Sequence, residues 1–128
     1  MIKISNTIPP VYSRCKAQFG VDWDRGIIMT YGDTVHTKFP LSPDLVVHEA
    51  THVKQQIEMG KELWWDRYFT DVEFRLSQEV EAYRNQLKFI DANYNRNGRR
   101  VMRAKIIKDM STIYGSMCTP NQAAMLMA

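Results

Sequence analysis

Five consecutive residues, His48-Glu49-Ala50-Thr51-His52, place two imidazoles and a carboxylate at a spacing that suits a metal ion. On a helix, four residues advance the chain by slightly more than one turn, so both rings leave the same face about 6 Å apart. Two nitrogens so placed can share one Zn²⁺, and Glu49 is near enough to reach a water on that ion. Zinc brings the pKa of such a water towards neutrality; Glu49 can take its proton and later pass it to a leaving group. The chemistry implied is metal-assisted hydrolysis, with a peptide bond as the foremost substrate. Two of the chain's three histidines lie in this stretch. The plain alternative is a helix face carrying two partly buried histidines that bind nothing.

Such a site needs a third protein ligand. The longer form of the motif has glycine and histidine at positions 55 and 58, where this chain has Gln55 and Glu58. The remaining histidine, His36, lies upstream, so a carboxylate is the better candidate. Gln78-Glu79-Val80-Glu81-Ala82-Tyr83 offers two. At roughly 100° per residue, Glu79 falls at the edge of the apolar stripe of its helix, whereas Glu81 points well away. Glu79 is therefore the expected ligand. Ala82 shares its face and is small enough to let two helices approach. The plain alternative leaves both glutamates on a solvated flank.

These residues must be held by helices, and the punctuation supplies them. Ser42 is an expected N-cap, Pro43 suits the first helical position and Asp44 complements the positive helix end. The helix should run to Glu58 or Met59, with Gly60 as its stop. Lys61 to Phe69, with Trp64-Trp65, reads as a connector or short helix whose aromatic residues pack in the core. Thr70-Asp71-Val72-Glu73 matches a capping box opening a second long helix. Its expected inward stripe is Val72, Leu76, Val80, Tyr83, Leu87, Ile90 and Tyr94. Asn95 to Gly98 should end it, with a third helix over Val101 to Lys108 and a short one after Thr119-Pro120. The first forty residues read as strand and turn, with a hairpin of Gly26–Tyr31 and Thr34–Phe39 about Gly32-Asp33.

Composition sets the frame. The 128 residues, 45% hydrophobic and 24% charged, suit one folded domain spanning 1–128. A net charge of +3 is too mild to demand a nucleic-acid partner. Arg96, Arg99, Arg100, Arg103, Lys105 and Lys108 make a basic segment without aromatic interleaving, which reads as a solvated helix face. No apolar run approaches the length of a spanning helix, and Met1 to Ser5 turns polar too soon for a signal peptide. Cys15 and Cys118 read as free thiols. The expected setting is cytoplasmic, including the infected host cell if the chain is phage-encoded.

His48 to His52, followed by Glu79-x-x-Ala82, resembles the gluzincin branch of the zinc metallopeptidases. His48-Glu49-Ala50-Thr51-His52-Val53-Lys54-Gln55-Gln56 with Glu79-Val80-Glu81-Ala82-Tyr83 looks more closely like small chains of metallopeptidase type from bacteria and phages. The resemblance covers about Leu41 to Gln86. It implies an α+β fold of the minimal zincin-like kind: a small N-terminal β-hairpin or sheet packed on two long helices, plus shorter C-terminal helices. It implies Zn²⁺ on His48, His52 and Glu79, Glu49 as general base, and a peptide or protein substrate added as a strand to a sheet edge within Thr34 to Phe39. Gluzincins often carry aspartate four residues after the glutamate ligand, bonded to a ligating histidine; Tyr83 stands there instead. His36, Tyr83, Tyr94 and Tyr114 are candidate oxyanion donors, and spacing does not choose among them. The rival is a zincin-like structural or partner-binding protein, phage-associated, with weak or no turnover.

Overall fold

The computed structural model describes residues 2–128. Among them the chain is α+β and mostly helical, with six α-helices and one three-stranded sheet. The elements are β1 (Lys3–Ser5), α1 (Tyr12–Phe19), β2 (Met29–Tyr31), β3 (Thr34–His36), α2 (Pro43–Met59), α3 (Lys61–Thr70), α4 (Val72–Asn93), α5 (Arg96–Thr112) and α6 (Pro120–Leu126).

The expected hairpin forms as β2 and β3, antiparallel, with Tyr31 opposite Thr34. Its turn relies on Gly32 at φ 65, a left-handed conformation that disfavours side chains. The Gln56 side chain grips this turn from α2. Its Oε1 accepts from the Gly32 N–H at 2.7 Å, while its Nε2 donates to the Thr30 carbonyl at 2.9 Å. One buried amide thus fixes the hairpin against the helix that carries His48 and His52.

Two features of the first forty residues depart from the strand-and-turn expectation. Tyr12–Phe19 is a helix, and Lys3–Ser5 pairs in parallel with β3. The sheet order is β1-β3-β2, so Thr34–His36 is the central strand, paired on both sides. It offers no edge to a substrate. The expectation of an edge within Thr34 to Phe39 is corrected: the outer strands of the sheet are β1 and β2.

α2 begins and ends as its punctuation indicates, at Pro43 and before Gly60. Gly60, at φ 95, closes α2 and opens α3, which turns the second stretch into a full helix. In α4 the cap is Asp71 rather than Thr70; its carboxylate accepts from the Phe74 N–H at 3.1 Å. The buried face comprises Phe74, Arg75, Glu79, Ala82, Tyr83, Gln86, Leu87 and Ile90, rotated from the expected stripe so that Val72 is exposed. The rotation has a physical cause: α4 is covered on two sides, by α2 and by α3 and α5, so polar residues facing α2 are buried as well. Ala82 is fully buried where α2 and α4 meet, and its small side chain permits that approach. Gly98 does not end a helix. The Asn95 side chain accepts from the Gly98 N–H at 2.8 Å and caps α5, which starts at Arg96 and runs past the expected limit. Thr119 and Gln122 form a reciprocal capping box for α6.

The interior divides into two clusters. One gathers Tyr83, Leu87, Ile90, Ile106, Met110, Cys118, Ala123 and Met127. The other gathers Cys15, Met29, Trp64, Trp65, Tyr68, Phe69 and Phe74. The two cysteines are free, buried and in different clusters.

Candidate metal centre

His48 and His52 stand one turn apart on α2, and Glu79 faces them from α4; all three are buried. The two Nε2 atoms are 3.2 Å apart. Glu79 Oε1 lies 2.9 Å from His52 Nε2 and 3.2 Å from His48 Nε2. Donors about 2 Å from a tetrahedral zinc sit roughly 3.3 Å from one another. The three atoms therefore fit around one ion with only a small outward adjustment. Glu81 is on the exposed flank of α4 and takes no part in this triangle, as its helix position indicates.

Each candidate ligand is oriented from behind. His48 Nδ1 lies 2.9 Å from Gln86 Oε1, and His52 Nδ1 lies 2.8 Å from Gln55 Oε1. An amide oxygen only accepts, so each ring carries a proton on Nδ1 and turns its Nε2 to the centre. Glu79 is divided in function: Oε1 faces the histidines, while Oε2 accepts a 2.5 Å hydrogen bond from the Tyr68 hydroxyl. The glutamines answer the question raised by Tyr83. Where an aspartate was expected to back a histidine, Tyr83 instead lays its ring edge-on to His48, with centroids 4.4 Å apart. Spacing alone did not reveal Gln55 and Gln86, although Gln55 lies three residues from His52 on the same helix face.

Glu49 projects into the same space. Its Oε2 is 3.7 Å from His48 Nε2, and the Thr30 hydroxyl donates to its Oε1 at 3.2 Å. Burial raises its pKa, although His48 and His52 partly offset the shift. A carboxyl so raised takes up a proton more readily than an ordinary one. Burial disfavours charge on both His52 and Glu79, yet each stabilises the other's charge. His52 is raised and Glu79 is held well below the usual carboxylate range.

A cavity of about 440 Å³ opens onto this group, a size typical of sites for small ligands and peptide side chains. His48, Glu49, His52 and Glu79 form its polar end, and Ile27, Ile28, Leu45, Met102, Ile106 and Ile113 supply apolar walls. Of the four candidate oxyanion donors, two belong elsewhere. His36 Nδ1 is 2.7 Å from the Thr7 carbonyl, outside the cavity lining, and the Tyr94 hydroxyl is committed to Asp44 at 2.8 Å. Tyr83 and Tyr114 line the cavity, and neither hydroxyl bonds a protein group among the described residues. Burial, followed by the negative charge of Glu79, raises both phenols well above their ordinary pKa, so both remain donors. Arg75 holds this wall, donating from Nε to the Tyr114 carbonyl at 3.0 Å and from Nη1 to the Tyr68 carbonyl at 2.6 Å.

The basic residues of α5 turn largely to intramolecular partners, among them Asp91 for Arg103 and Asp109 for Lys105. Among the described residues no helix is long and apolar enough to cross a membrane. Comparison of the chain with family models, with curated proteins and with solved structures finds no match. The geometry of the centre carries the functional argument.

Proposed function

We propose that this chain is a metal-dependent hydrolase. The observation that carries the proposal is the convergence of three buried atoms able to ligate a metal, His48 Nε2, His52 Nε2 and Glu79 Oε1, at distances of 2.9 to 3.2 Å. Such a cluster is satisfied either by a proton shared between His52 and Glu79 or by a metal ion in that proton's place. Nitrogen and carboxylate donors in a small, tetrahedrally spaced set suit Zn²⁺.

Within that class, the order of residues favours a zincin-like peptidase of gluzincin type with a peptide or protein substrate. Bound at this centre, Zn²⁺ supplies a Lewis acid for a carbonyl and brings water's pKa towards neutrality. Glu49 accepts the proton of the attacking water and returns it to the departing amine. Thr30 holds one oxygen of Glu49 and thereby aims the other. Tyr83 and Tyr114 direct phenolic hydroxyls into the cavity where the carbonyl oxygen gains charge. A substrate would approach along the cavity wall of Gly26 to Ile28, because the Thr30 carbonyl of β2 already accepts from Gln56 and Trp65.

The test is paired. Purified protein should contain one zinc per chain and cleave members of a mixed peptide library in a chelator-sensitive manner. Glu49→Gln should keep the zinc and lose at least about 100-fold in turnover. Full activity in that variant would refute the role of Glu49. Stoichiometric zinc with no cleavage by the parent would favour a binding protein on the same scaffold.

A further inference from the structure

The hydrogen bonds behind the two histidines continue one step further, and both paths end on a carboxylate. From His48, Gln86 Nε2 donates to Asp44 Oδ2 at 2.8 Å, and the other oxygen of Asp44 receives the Tyr94 hydroxyl at 2.8 Å. From His52, Gln55 Nε2 donates to Glu81 Oε1 at 2.7 Å and to the Gln78 carbonyl at 3.1 Å. Asp44 and Gln86 are buried; Glu81 is exposed.

An amide side chain is nearly symmetrical in shape, so packing alone does not decide which end faces an imidazole. Charge decides it here. An ionised carboxylate has no proton to donate, and an amide flipped towards it would set oxygen against oxygen. Asp44 therefore holds the NH₂ end of Gln86 on its own side, and Glu81, aided by the Gln78 carbonyl, does the same for Gln55. The oxygen ends must then face the rings. Because those oxygens only accept, the rings must keep their protons on Nδ1.

The structure assigns Asp44 and Glu81 as positioning residues, each acting through a glutamine to fix the tautomer and aim of one histidine. The inference rests on the metal-site reading for its purpose, but not for its geometry. Asp44 serves His48 and Glu81 serves His52, so the two paths are separable. The interposed amide has a chemical consequence. It orients the ring without setting a second negative charge directly against it, so Glu79 remains the one anionic ligand.

Nuclear magnetic resonance of ¹⁵N-labelled histidine rings tests this, because the Nδ1 protons are present whether Nε2 holds zinc or a proton. Zn²⁺ competition against a chromophoric chelator is measured alongside. Glu81→Ala should shift the His52 Nδ1–H signal and speed its exchange with water while leaving that of His48 in place. Asp44→Asn should do the reverse. Each should weaken Zn²⁺ binding several-fold, towards the low end of the roughly 10- to 100-fold that outer partners of ligating histidines carry. Glu81 is exposed, so its variant stays folded even if Asp44→Asn does not. Unmoved ring protons in Glu81→Ala, both rings moving together in either variant, or a parent proton on Nε2 of zinc-loaded His48 or His52 would overturn the assignment. Failure of the parent to bind Zn²⁺ would sink the metal reading instead, and the ring protons would still decide the positioning.

Discussion

Replacing Glu79 with glutamine alters one functional group of the candidate ligand set and almost none of its volume. The oxygen of the new amide can keep the hydrogen bond from Tyr68, which leaves its NH₂ facing the lone pairs of His48 and His52. The centre is then satisfied without an ion, so the variant should fold and lose metal affinity. Structural zinc sites with four ligands bind with about 10–16 kcal/mol, which makes one ligand worth about 3 kcal/mol, or roughly two orders of magnitude in Kd. Thermal melts with and without Zn²⁺ convert this into a shift. At a free Zn²⁺ concentration 100 times the parent Kd, the ion stabilises the parent by about 2.7 kcal/mol; at the same concentration a 100-fold weaker variant gains only about 0.4 kcal/mol. For a domain of this length, that corresponds to a rise in Tm of roughly 10 °C for the parent and about 2 °C for Glu79→Gln. A variant whose Tm rises with Zn²⁺ as far as the parent's would show that Glu79 is no ligand, and the reading of three converging ligand atoms would fail with it.

The remaining predictions concern the scaffold. Ala82→Leu inserts three carbons where α2 and α4 touch and should destabilise the fold by about 1–3 kcal/mol in urea titration. It should weaken Zn²⁺ binding as well, because the two helices carry different candidate ligands; unchanged affinity would mean that their separation is not critical. Asp44 offers a pH test. Burial opposes its ionisation, but hydrogen bonds, those from Gln86 and Tyr94 among them, outweigh burial and hold its pKa below the usual value of 3.8. The folded state thus takes up this proton less readily than the unfolded chain. Its contribution is complete above about pH 3.8 and is lost as pH falls through the folded-state pKa. Urea titrations between pH 5 and 2.5 should show a shallower acid decline in Asp44→Asn than in the parent, and parallel declines would contradict the reading.

The centre was legible in the sequence where chemistry and helical period coincide. His48, Glu49 and His52 lie within one stretch of helix, and Glu79 could be told from Glu81 by its angle on α4. Ser42-Pro43 and Gly60 marked the limits of α2 because capping is local. The misses are non-local or short. β1 is three residues that become a strand only by pairing with β3, 31 positions along. α1 is eight residues with one fully buried side chain, Cys15, too little for a periodic signal. The place of β3 in the centre of the sheet follows from β1 and was lost with it. Gln55 and Gln86 escaped because an amide's role is set by what lies at its two ends. For Gln86 those ends are His48 and Asp44, 38 and 42 positions away.

The candidate ligands also lie on the seam between the two hydrophobic clusters. Tyr83, from the cluster of α4, α5 and α6, touches His48; Trp64 and Tyr68, from the cluster of α1 and α3, touch His52 and Glu79. A cation at that point would act as a keystone between the two halves of the interior. Its withdrawal would loosen the molecule along one internal line, with each half still close-packed.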